Sequence, residues 1–303
     1  MKSIINLLGV IVILTLGACE SVLDREVVTS LQEKDAISTY SNTLSNGYSA
    51  YTSLASGFQY IDGAMMASAS DEAEHTLETS SIQKFNTGAW NAVDNPDGSW
   101  SRYFAGIRRV NKFLVTADSV KMEALRLNPN PASQLTYNNQ LANVKNLKYE
   151  NRFLRAYFYL ELIKRYGGVP IITTPMDLDS DYRNLKRNTL AECIQFISDE
   201  CDSAATILPV VYADASNLGR ITKGAALALK SRLLLYAASD LFNTPSWATG
   251  YSKTELISTT GERPAKWQAA ANAAKAVIDL AGTGYVLDTY PNLYNLNSYK
   301  SKE

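Results

Sequence analysis

The sequence predicts a mostly α-helical protein whose helices pack in pairs. In several segments of the 303-residue chain, apolar residues recur at intervals of three and four, which places them on one face of a helix. Residues that cap helices bound these segments, and alanine is concentrated in the last two, where helices are expected to approach closely. Hydrophobic residues make up 46% of the chain, enough for a sizeable globular core.

The first two helices are predicted on either side of a long irregular stretch. Ser30 and Glu33 have the spacing of a capping box, and an apolar stripe follows over residues 37–54. A second stripe covers residues 100–114. Residues 57–99 between them lack a helical period and are rich in glycine, serine, asparagine and aspartate. Irregular stretches of this length are uncommon inside compact domains and are often functional.

A third helix is predicted over residues 149–166. Apolar side chains cover most of its circumference, so we expect it to be buried between neighbours. Gly167-Gly168 ends this helix as a left-handed cap. Residues 169–172 then continue as an extended segment, because Pro170 cannot resume a helix.

Three more helices follow, and each has a recognisable start. Thr189 and Glu192 form another capping box, Thr222 can cap the second helix, and Pro264 suits the first position of the third. The predicted spans are 189–207, 223–239 and 265–281. Their alanines are typical of helix-pair solenoids, although the spacing does not follow a clean period of roughly 34 residues. We therefore predict degenerate tetratricopeptide-like helix pairs joined by irregular loops.

The N-terminus has the features of a bacterial secretion signal. An apolar run over residues 4–16 is too short to span a bilayer comfortably. Residues 16–19 (Leu-Gly-Ala-Cys) resemble a lipobox, in which the cysteine is acylated and becomes the first residue of the mature protein. The alternative is an ordinary signal peptide with an incidental cysteine. We expect residues 1–18 to be a lipoprotein signal peptide, residues 19–32 an acylated tether, and Cys19 the site of lipidation.

The composition excludes several functional classes. The 29 basic and 30 acidic residues give a net charge of −1, so no basic surplus exists for binding nucleic acid. A single histidine, His75, and three cysteines exclude His-rich and Cys₄ zinc sites. The carboxylates near His75 are expected to be solvated rather than to bind a metal. We expect neither a metal nor a cofactor.

No constellation of residues points to catalysis. The chain has no Gly-x-Ser-x-Gly elbow, no Gly-x-x-x-x-Gly-Lys-Ser/Thr loop and no dinucleotide-binding fingerprint after a strand. Among its 30 acidic residues, nothing singles out one pair for glycoside hydrolysis. We therefore do not expect an enzyme.

The other two cysteines and most tyrosines are expected to be structural. Cys193 and Cys201 lie eight residues apart on one predicted helix, about 12 Å and beyond disulfide reach, so we expect buried thiols. The large stock of tyrosine is expected to fall mainly on helix core positions, as at Tyr40, Tyr48, Tyr51, Tyr157 and Tyr236.

Four stretches, in order along the chain, resemble the SusD/RagB family of Bacteroidetes outer-membrane lipoproteins. Residues 154–172 (LRAYFYLELIKRYGGVPII) resemble the family signature, an arginine-bearing aromatic helix ending in Tyr-Gly-x-x-Pro. Residues 100–114 resemble its Trp-x-x-x-Tyr-x-x-Ile-x-x-x-Asn helix, and residues 219–238 its Gly-Arg-x-x-Lys-x-Ala helix. Residues 265–287 resemble the alanine-rich helix that leads into a Tyr-x-Leu turn. With the lipobox, these stretches span almost all of residues 19–303.

The resemblance implies a surface-exposed lipoprotein of the outer membrane. Several acyl chains on Cys19 would hold it firmly on the membrane, whereas one chain binds only marginally. In the family, such a protein acts as a lid over a SusC-like TonB-dependent transporter and captures nutrients, usually oligosaccharides and sometimes peptides. Family members are usually much longer, so we expect residues 33–303 to be the helical N-terminal region, with the C-terminal part missing.

Two other functions stay open at this point. The first is a helix-pair scaffold that holds a protein or peptide partner on its concave face. The second, less favoured, is a surface glycosidase.

Candidate ligand-binding residues come from the chemistry of sugar recognition, which needs flat apolar faces to stack on pyranose rings and polar groups at the rim. Asp71 and Glu72 match the Ser/Thr-Asp-Glu segment of the family, near which some members contact glycans. Trp90, between Gly88 and Asn91 in the irregular stretch, is the best stacking candidate, and Asn91 adds hydrogen-bonding groups. Alternatively, Trp90 is a structural plug and Asn91 forms a turn.

The remaining tryptophans are expected to be structural. Trp100 opens a predicted helix and should lie in the core. Trp247 should pack against a neighbouring helix, and Trp267 lies on the alanine-rich helix.

Overall fold

The computed structural model describes residues 39–58, 60–176, 179–243 and 245–283. The expected signal peptide, the tether with Cys19, and the Ser30–Glu33 capping box lie outside these residues, as does the Tyr-x-Leu turn at the end of the chain. Within the described ranges the structure contains eight α-helices and no β-strand; one isolated bridge joins Ile61 to Ala64. The prediction of a mostly α-helical protein is confirmed.

Short 3₁₀ turns connect several of the helices. The helices are α1 (Tyr40–Tyr48), α2 (Gln83–Thr87), α3 (Trp100–Thr116), α4 (Glu123–Arg126), α5 (Pro131–Tyr166), α6 (Leu190–Ile207), α7 (Lys223–Ala238) and α8 (Arg263–Ile278).

Helix α5 is the centre of the structure. Helices α3, α1 and α6 all contact it, and the packing then continues in chain order from α6 to α7 and from α7 to α8. Leu154, Phe158 and Leu162 of α5 are fully buried in the main hydrophobic core. Tyr103 of α3 stacks on Phe158 with ring centroids 5.8 Å apart. Consecutive helices that pack on one another are the arrangement expected of degenerate helix pairs.

Helix α5 also buries charged side chains, and their partners come from other elements. Arg155 is buried, its Nε donates to Glu200 of α6 at 2.9 Å, and its Nη1 donates to Asn111 of α3 at 2.7 Å. Arg152, one turn away, donates to the other oxygen of Glu200. Because an unpaired buried charge is strongly destabilising, these bonds restrict how α3 and α6 can pack on α5.

A buried carboxylate on α5 itself, Glu150, binds a different set of elements. Glu150 is 0% exposed and accepts hydrogen bonds from Tyr51 at 2.5 Å, from Tyr212 at 2.8 Å and from Arg220 Nε at 3.0 Å. Burial and the neighbouring Glu150 carboxylate raise the pKa of Tyr51 well above its usual value, so its phenol stays protonated and donates. Glu150 therefore ties the turn after α1 and the loop before α7 to α5.

Helix α5 starts much earlier than predicted, at Pro131 instead of residue 149. Asn130 caps it by accepting from the amide of Ala132 at 2.9 Å, and proline occupies the first helical position. Residues 131–148 are largely polar and only partly buried, so they carry no wide apolar stripe that would reveal a helix.

The first helix is shorter than predicted. It ends at Tyr48 and continues as a 3₁₀ turn over Ser49–Ser53. The hydroxyl of Ser49 donates to the Asn46 carbonyl at 2.6 Å, and that of Thr52 donates to the Ser49 carbonyl at 2.7 Å. Such side-chain bonds to the backbone compete with regular helical bonding.

The predicted end of α5 and the capping box that follows it are present. Gly167 follows the last residue of α5, but with φ 69° and ψ −146° it has a positive φ outside the left-handed helical region, so the predicted left-handed cap is wrong in its conformation. Thr189 Oγ1 accepts from the Glu192 amide at 3.2 Å, and the Glu192 carboxylate accepts from the Thr189 amide at 2.8 Å, which completes the capping box. The extended segment that follows Gly168 is held by Asn111, whose Nδ2 donates to the Ile172 carbonyl at 2.9 Å.

Both cysteines of the described residues are free and buried, as predicted. Burial raises the pKa of the Cys201 thiol to about 12, with a smaller contribution from the neighbouring Asp202 carboxylate. The prediction for tyrosine is only partly correct, because Tyr48 and Tyr236 are each 36% exposed. Tyr48 lies under the guanidinium of Arg220, 5.7 Å from its ring centroid, which leaves its other side open.

Replacing Gly106 of α3 by alanine should destabilise the protein. An added Cβ would lie 2.6 Å from a ring carbon of Phe158 and 2.9 Å from the Cβ of Ser53. Alanine favours a helix over glycine by about 1 kcal/mol, but overpacking against fixed atoms costs about 1–3 kcal/mol. We expect a net fall of about 1 kcal/mol in the free energy of unfolding, the middle of the resulting range of about 0–2 kcal/mol, measured by urea denaturation.

Gly57→Ala is the matched control, because nothing lies within 4 Å of its added Cβ. Equal stability of Gly106→Ala and the wild-type protein would contradict the close packing of α3 on α5.

Candidate functional site

The irregular stretch folds into a small unit of its own, residues 60–99, which we call the loop unit. Ile61, Ala64 and Ile82 are buried together, and Tyr60 and Phe85 are among the partly buried side chains that pack against them. The loop unit contains the short helix α2 and one 3₁₀ turn, so its predicted irregularity is confirmed. Its small core gives it a defined conformation despite the lack of long helices.

Trp90 is anchored on one side and open on the other. Its ring centroid lies 5.6 Å from that of Phe85 in α2, with an interplanar angle of 52°. Gly88, with φ 69°, ends α2 in the left-handed conformation and turns the chain back toward this helix. The side chain of Trp90 remains 48% exposed. A held, half-exposed indole presents a flat apolar face to a ligand.

Asn91 forms the turn that follows Trp90. Its Oδ1 accepts from the amides of Val93 at 2.9 Å and Asp94 at 3.0 Å, and its own amide donates to the Asp94 carbonyl at 3.0 Å. The Nζ of Lys84 lies 2.7 Å from the carboxylate of Asp94 and joins this turn to α2. The geometry favours the turn-forming role of Asn91, because its carbonyl oxygen is already used by two backbone amides.

Asp71 and Glu72 lie on the exposed turn after the 3₁₀ segment Met66–Ala69. The amide of Glu72 donates to Ser70 Oγ at 3.3 Å. Both carboxylate side chains face solvent, so they are available to sugar hydroxyls.

Helix α2 joins the two halves of the candidate site. On one side, Asn86 Nδ2 donates to the Ser68 carbonyl at 3.0 Å and holds the segment that leads to Asp71. On the other side, Phe85 supports Trp90. All four predicted ligand-binding residues therefore belong to the loop unit, and α2 contacts both the indole and the segment that precedes the carboxylates.

Asp62 stabilises the base of α2. Its carboxylate accepts hydrogen bonds from the amide of Ser81 at 2.7 Å and from Ser80 Oγ at 3.3 Å, in addition to the Ser81 hydroxyl. Asp62 has φ 49°, a conformation that aspartate and asparagine tolerate better than most residues. Hydrogen bonds from Ser81 hold the pKa of Asp62 below its usual value.

A concave surface lies beside the loop unit, between α3 and the extended segment after α5. This cleft has a volume of about 360 Å³ and is mostly apolar. It is lined by residues that include Trp100, Phe104, Ile172 and Tyr182, with Arg108 at its edge. Sequence reasoning missed it because residues 170–176 and 182–185 come to α3 only through the tertiary fold.

The cleft also corrects the expectation for Trp100, which is 41% exposed and does not lie in the core. Its ring stands 4.6 Å from Phe104 and 5.2 Å from Tyr166, so only one side of it is covered. The expected packing of the other two tryptophans is also incomplete. Trp247 is 59% exposed and Trp267 is 44% exposed, because each lies on an outer surface of the helix array.

The described residues hold neither a metal-binding cluster nor a membrane-spanning helix. No group of three histidine, cysteine, aspartate or glutamate side chains there lies close enough to hold a metal ion. No helix in this part of the chain is long and apolar enough to cross a membrane.

Removing the charge of Asp62 should loosen the loop unit in a pH-dependent way. Because its pKa is lowered in the folded protein, its stabilising effect is present above about pH 4, the usual aspartate value, and is lost as the pH falls through the lower folded-state value. Asp62→Asn should therefore speed amide exchange around Ser81 at neutral pH, measured by hydrogen–deuterium exchange. The difference from the wild-type protein should disappear in strong acid; a constant difference at every pH would contradict this role.

Comparison with known proteins was made by family, by sequence and by structure. A sequence model of the SusD-like family, described as starch-binding and associating with the outer membrane, matches residues 23–235. The search of curated proteins found no match.

Solved structures with the same fold include several SusD-like proteins. One from Bacteroides fragilis is 23% identical with a TM-score of 0.57, and the match covers 84% of this chain and 40% of that one. A SusD-like carbohydrate-binding protein from the same species is 21% identical, with a TM-score of 0.56 and coverage of 80% and 41%. Surface glycan-binding protein A from Bacteroides uniformis is 17% identical, with a TM-score of 0.53 and coverage of 82% and 48%.

This chain thus spans less than half the length of these structures. The family match covers most of the chain, and the helical fold agrees with that of the solved structures. The chain therefore belongs to the SusD/RagB family.

Proposed function

We propose that this chain is part of a cell-surface lipoprotein that binds an oligosaccharide and passes it to a SusC-like TonB-dependent outer-membrane transporter. The observation that carries the proposal is Trp90, a half-exposed indole held by Phe85 on a loop unit with its own core. A flat apolar face that is fixed before binding can stack on a pyranose ring at a lower entropic cost than a mobile one.

Exposed carboxylates supply the polar part of this proposed site. Asp71 and Glu72 follow a segment that is bonded at Ser68 to α2, the helix that supports Trp90. Carboxylates accept hydrogen bonds from sugar hydroxyls, whereas the indole contacts the apolar face of the ring. Asn91 contributes chiefly by shaping the turn after Trp90.

Family membership and relatives support a carbohydrate ligand. The family is described as starch-binding, and two of the solved structures are named as a carbohydrate-binding and a glycan-binding protein. We propose binding without catalysis, because the sequence carries no catalytic motif and nothing in it singles out one pair of carboxylates for glycoside hydrolysis.

The proposed location is the outer membrane, with Cys19 as the lipid anchor. The family description includes association with the outer membrane. The lipobox-like residues 16–19 and several acyl chains on Cys19 would provide stable anchoring of the rest of the chain.

A second candidate function, a scaffold for a protein partner, is favoured by the outer face of α8. Trp267 and Ile278 of this helix are exposed, the latter at 82%. Recovery of a soluble protein partner without a transporter in a pull-down would support this alternative.

Replacing Trp90 by alanine should abolish most glycan affinity while leaving the fold intact. A buried aromatic anchor at a binding site commonly contributes about 2 kcal/mol, so we expect a roughly thirtyfold rise in Kd. The measurement is isothermal calorimetry of the full-length protein against amylopectin, xylan, levan and a mixed peptide digest.

Trp247→Ala is the control for this experiment, because Trp247 is also exposed but lies outside the loop unit. Equal weakening by both substitutions, or binding that survives Trp90→Ala unchanged, would exclude Trp90 as the stacking residue. Binding of the peptide digest alone would identify peptides as the ligand.

Replacing Cys19 by alanine should release the protein from the membrane. Without the thiol no acyl chain can be attached, and the described part of the chain contains no helix that could span a bilayer. We expect the variant in the soluble fraction and without incorporated palmitate after metabolic labelling. A variant that stays in the outer membrane and incorporates palmitate as the wild-type protein does would contradict lipidation at Cys19.

A further inference from the structure

The two ends of the loop unit meet at the C-terminal end of α5. Tyr60 begins the unit and Ser99 ends it, and their hydroxyl oxygens lie 3.2 Å apart. The amide of Ser99 donates to the hydroxyl of Tyr166 at 3.0 Å. The base of the loop unit is therefore closed by side chains, and the last turn of α5 forms the surface on which it closes.

One side chain on that turn binds both ends at once. Arg165 Nη2 donates to the hydroxyl of Tyr60 at 2.6 Å. The same guanidinium forms a bidentate pair with Asp97, with Nε 2.7 Å from Oδ2 and Nη2 3.0 Å from Oδ1. A bidentate pair between arginine and a carboxylate fixes direction as well as distance, because both groups are planar.

The guanidinium is held in place by α5 itself. Its Nη1 donates to the carboxylate of Glu161, one turn earlier, at 2.6 Å, and Lys164 pairs with the other oxygen of Glu161. Two positive and two negative side chains thus face one another, so the cluster of Arg165, Lys164, Glu161 and Asp97 is neutral. Arg165 and Asp97 are only 18% and 22% exposed, so water screens their attraction less than that of a surface pair.

By comparison, the ion pair between Lys84 and Asp94 of the loop unit is more exposed to solvent and therefore more strongly screened. Lys84 and Asp94 are 35% and 58% exposed, and both lie within the unit, so they do not attach it to the scaffold. Desolvation alone would lower the pKa of Arg165. The hydrogen bonds to Asp97 and Glu161 raise this pKa by more than desolvation lowers it, so the guanidinium stays charged at any physiological pH.

We propose that Arg165 is the positioning residue of the loop unit: it clamps Tyr60 and Asp97 onto α5, and thereby presents Trp90 in one fixed place. This inference rests on the proposed function only where it concerns ligand affinity. Closing a loop of about 40 residues costs entropy, and a clamp at its base opposes the opening of the whole unit. A binding surface that is correctly placed only part of the time binds correspondingly more weakly.

The test compares Arg165→Gln with Arg152→Gln in the full-length protein. Arg152 is an arginine of the same helix that also makes two bonds to a carboxylate, but its partner is Glu200 of α6. Asp97→Asn is a second variant, which keeps Arg165 and removes the charge from a partly exposed loop residue. Hydrogen–deuterium exchange without ligand and calorimetry against the same polysaccharides are measured for each variant.

Arg165→Gln and Asp97→Asn should speed exchange in peptides from residues 60–99 by about tenfold, with the helices unchanged, since local opening is read directly by exchange. The Kd for the polysaccharide should rise by the factor by which the closed, competent fraction of the protein falls, so it rises strongly only where exchange shows the loop unit to be mostly open. Arg152→Gln should leave exchange in the loop unit unchanged.

The inference is overturned if Arg165→Gln and Asp97→Asn leave exchange in residues 60–99 unchanged, or if exchange rises equally in all helices. Failure of the wild-type protein to bind any polysaccharide would instead refute the proposed function, since the exchange measurement needs no ligand. An unchanged Kd in a variant whose exchange shows the loop unit to be mostly open would show that the clamp does not position Trp90, and it too would refute the inference.

Discussion

The buried charges of α5 are the constraint on which the other elements depend. Arg155 and Glu150 lie inside the bundle, and each is neutralised by groups from other elements, Glu200 of α6 for the first and Arg220 for the second. Such pairs contribute little net stability over an apolar core, because both charges lose hydration. Their effect is to select one packing, since any shift of a neighbouring helix would leave a buried charge without its partner.

At the end of α5, the candidate site is likewise held by a largely buried ion pair, between Arg165 and Asp97. Arg165 extends from α5 toward the loop unit, which has only a small core of its own. Its bonds fix the position of the loop unit relative to the helices. A binding platform on a loop gains precision when residues of regular structure fix its base. The arrangement explains how an irregular segment can hold Trp90 in place without long helices of its own.

Some errors of the sequence reasoning have a shared cause. The first half of α5 was missed because residues 131–148 are mostly polar, and its helix depends on the Asn130 cap and on continuity with the buried half. Trp100 was expected in the core because it starts an amphipathic helix, yet it borders a cleft completed by residues distant in sequence. Hydrophobic periodicity in the sequence indicates that a helix has an apolar face. It does not indicate how much of that face neighbouring elements will cover.

The sequence by itself determined the α-helical class, most helix ends, the capping box at Thr189 and the family, because these follow from local spacing and from short motifs. It also singled out Trp90 and the segment of Asp71 and Glu72 as candidates. Only the tertiary structure decided that α2 contacts both Trp90 and the segment before Asp71, and that Arg165 closes the base of the loop unit. Those contacts join residues far apart in the chain, and no local pattern specifies which distant partners will meet.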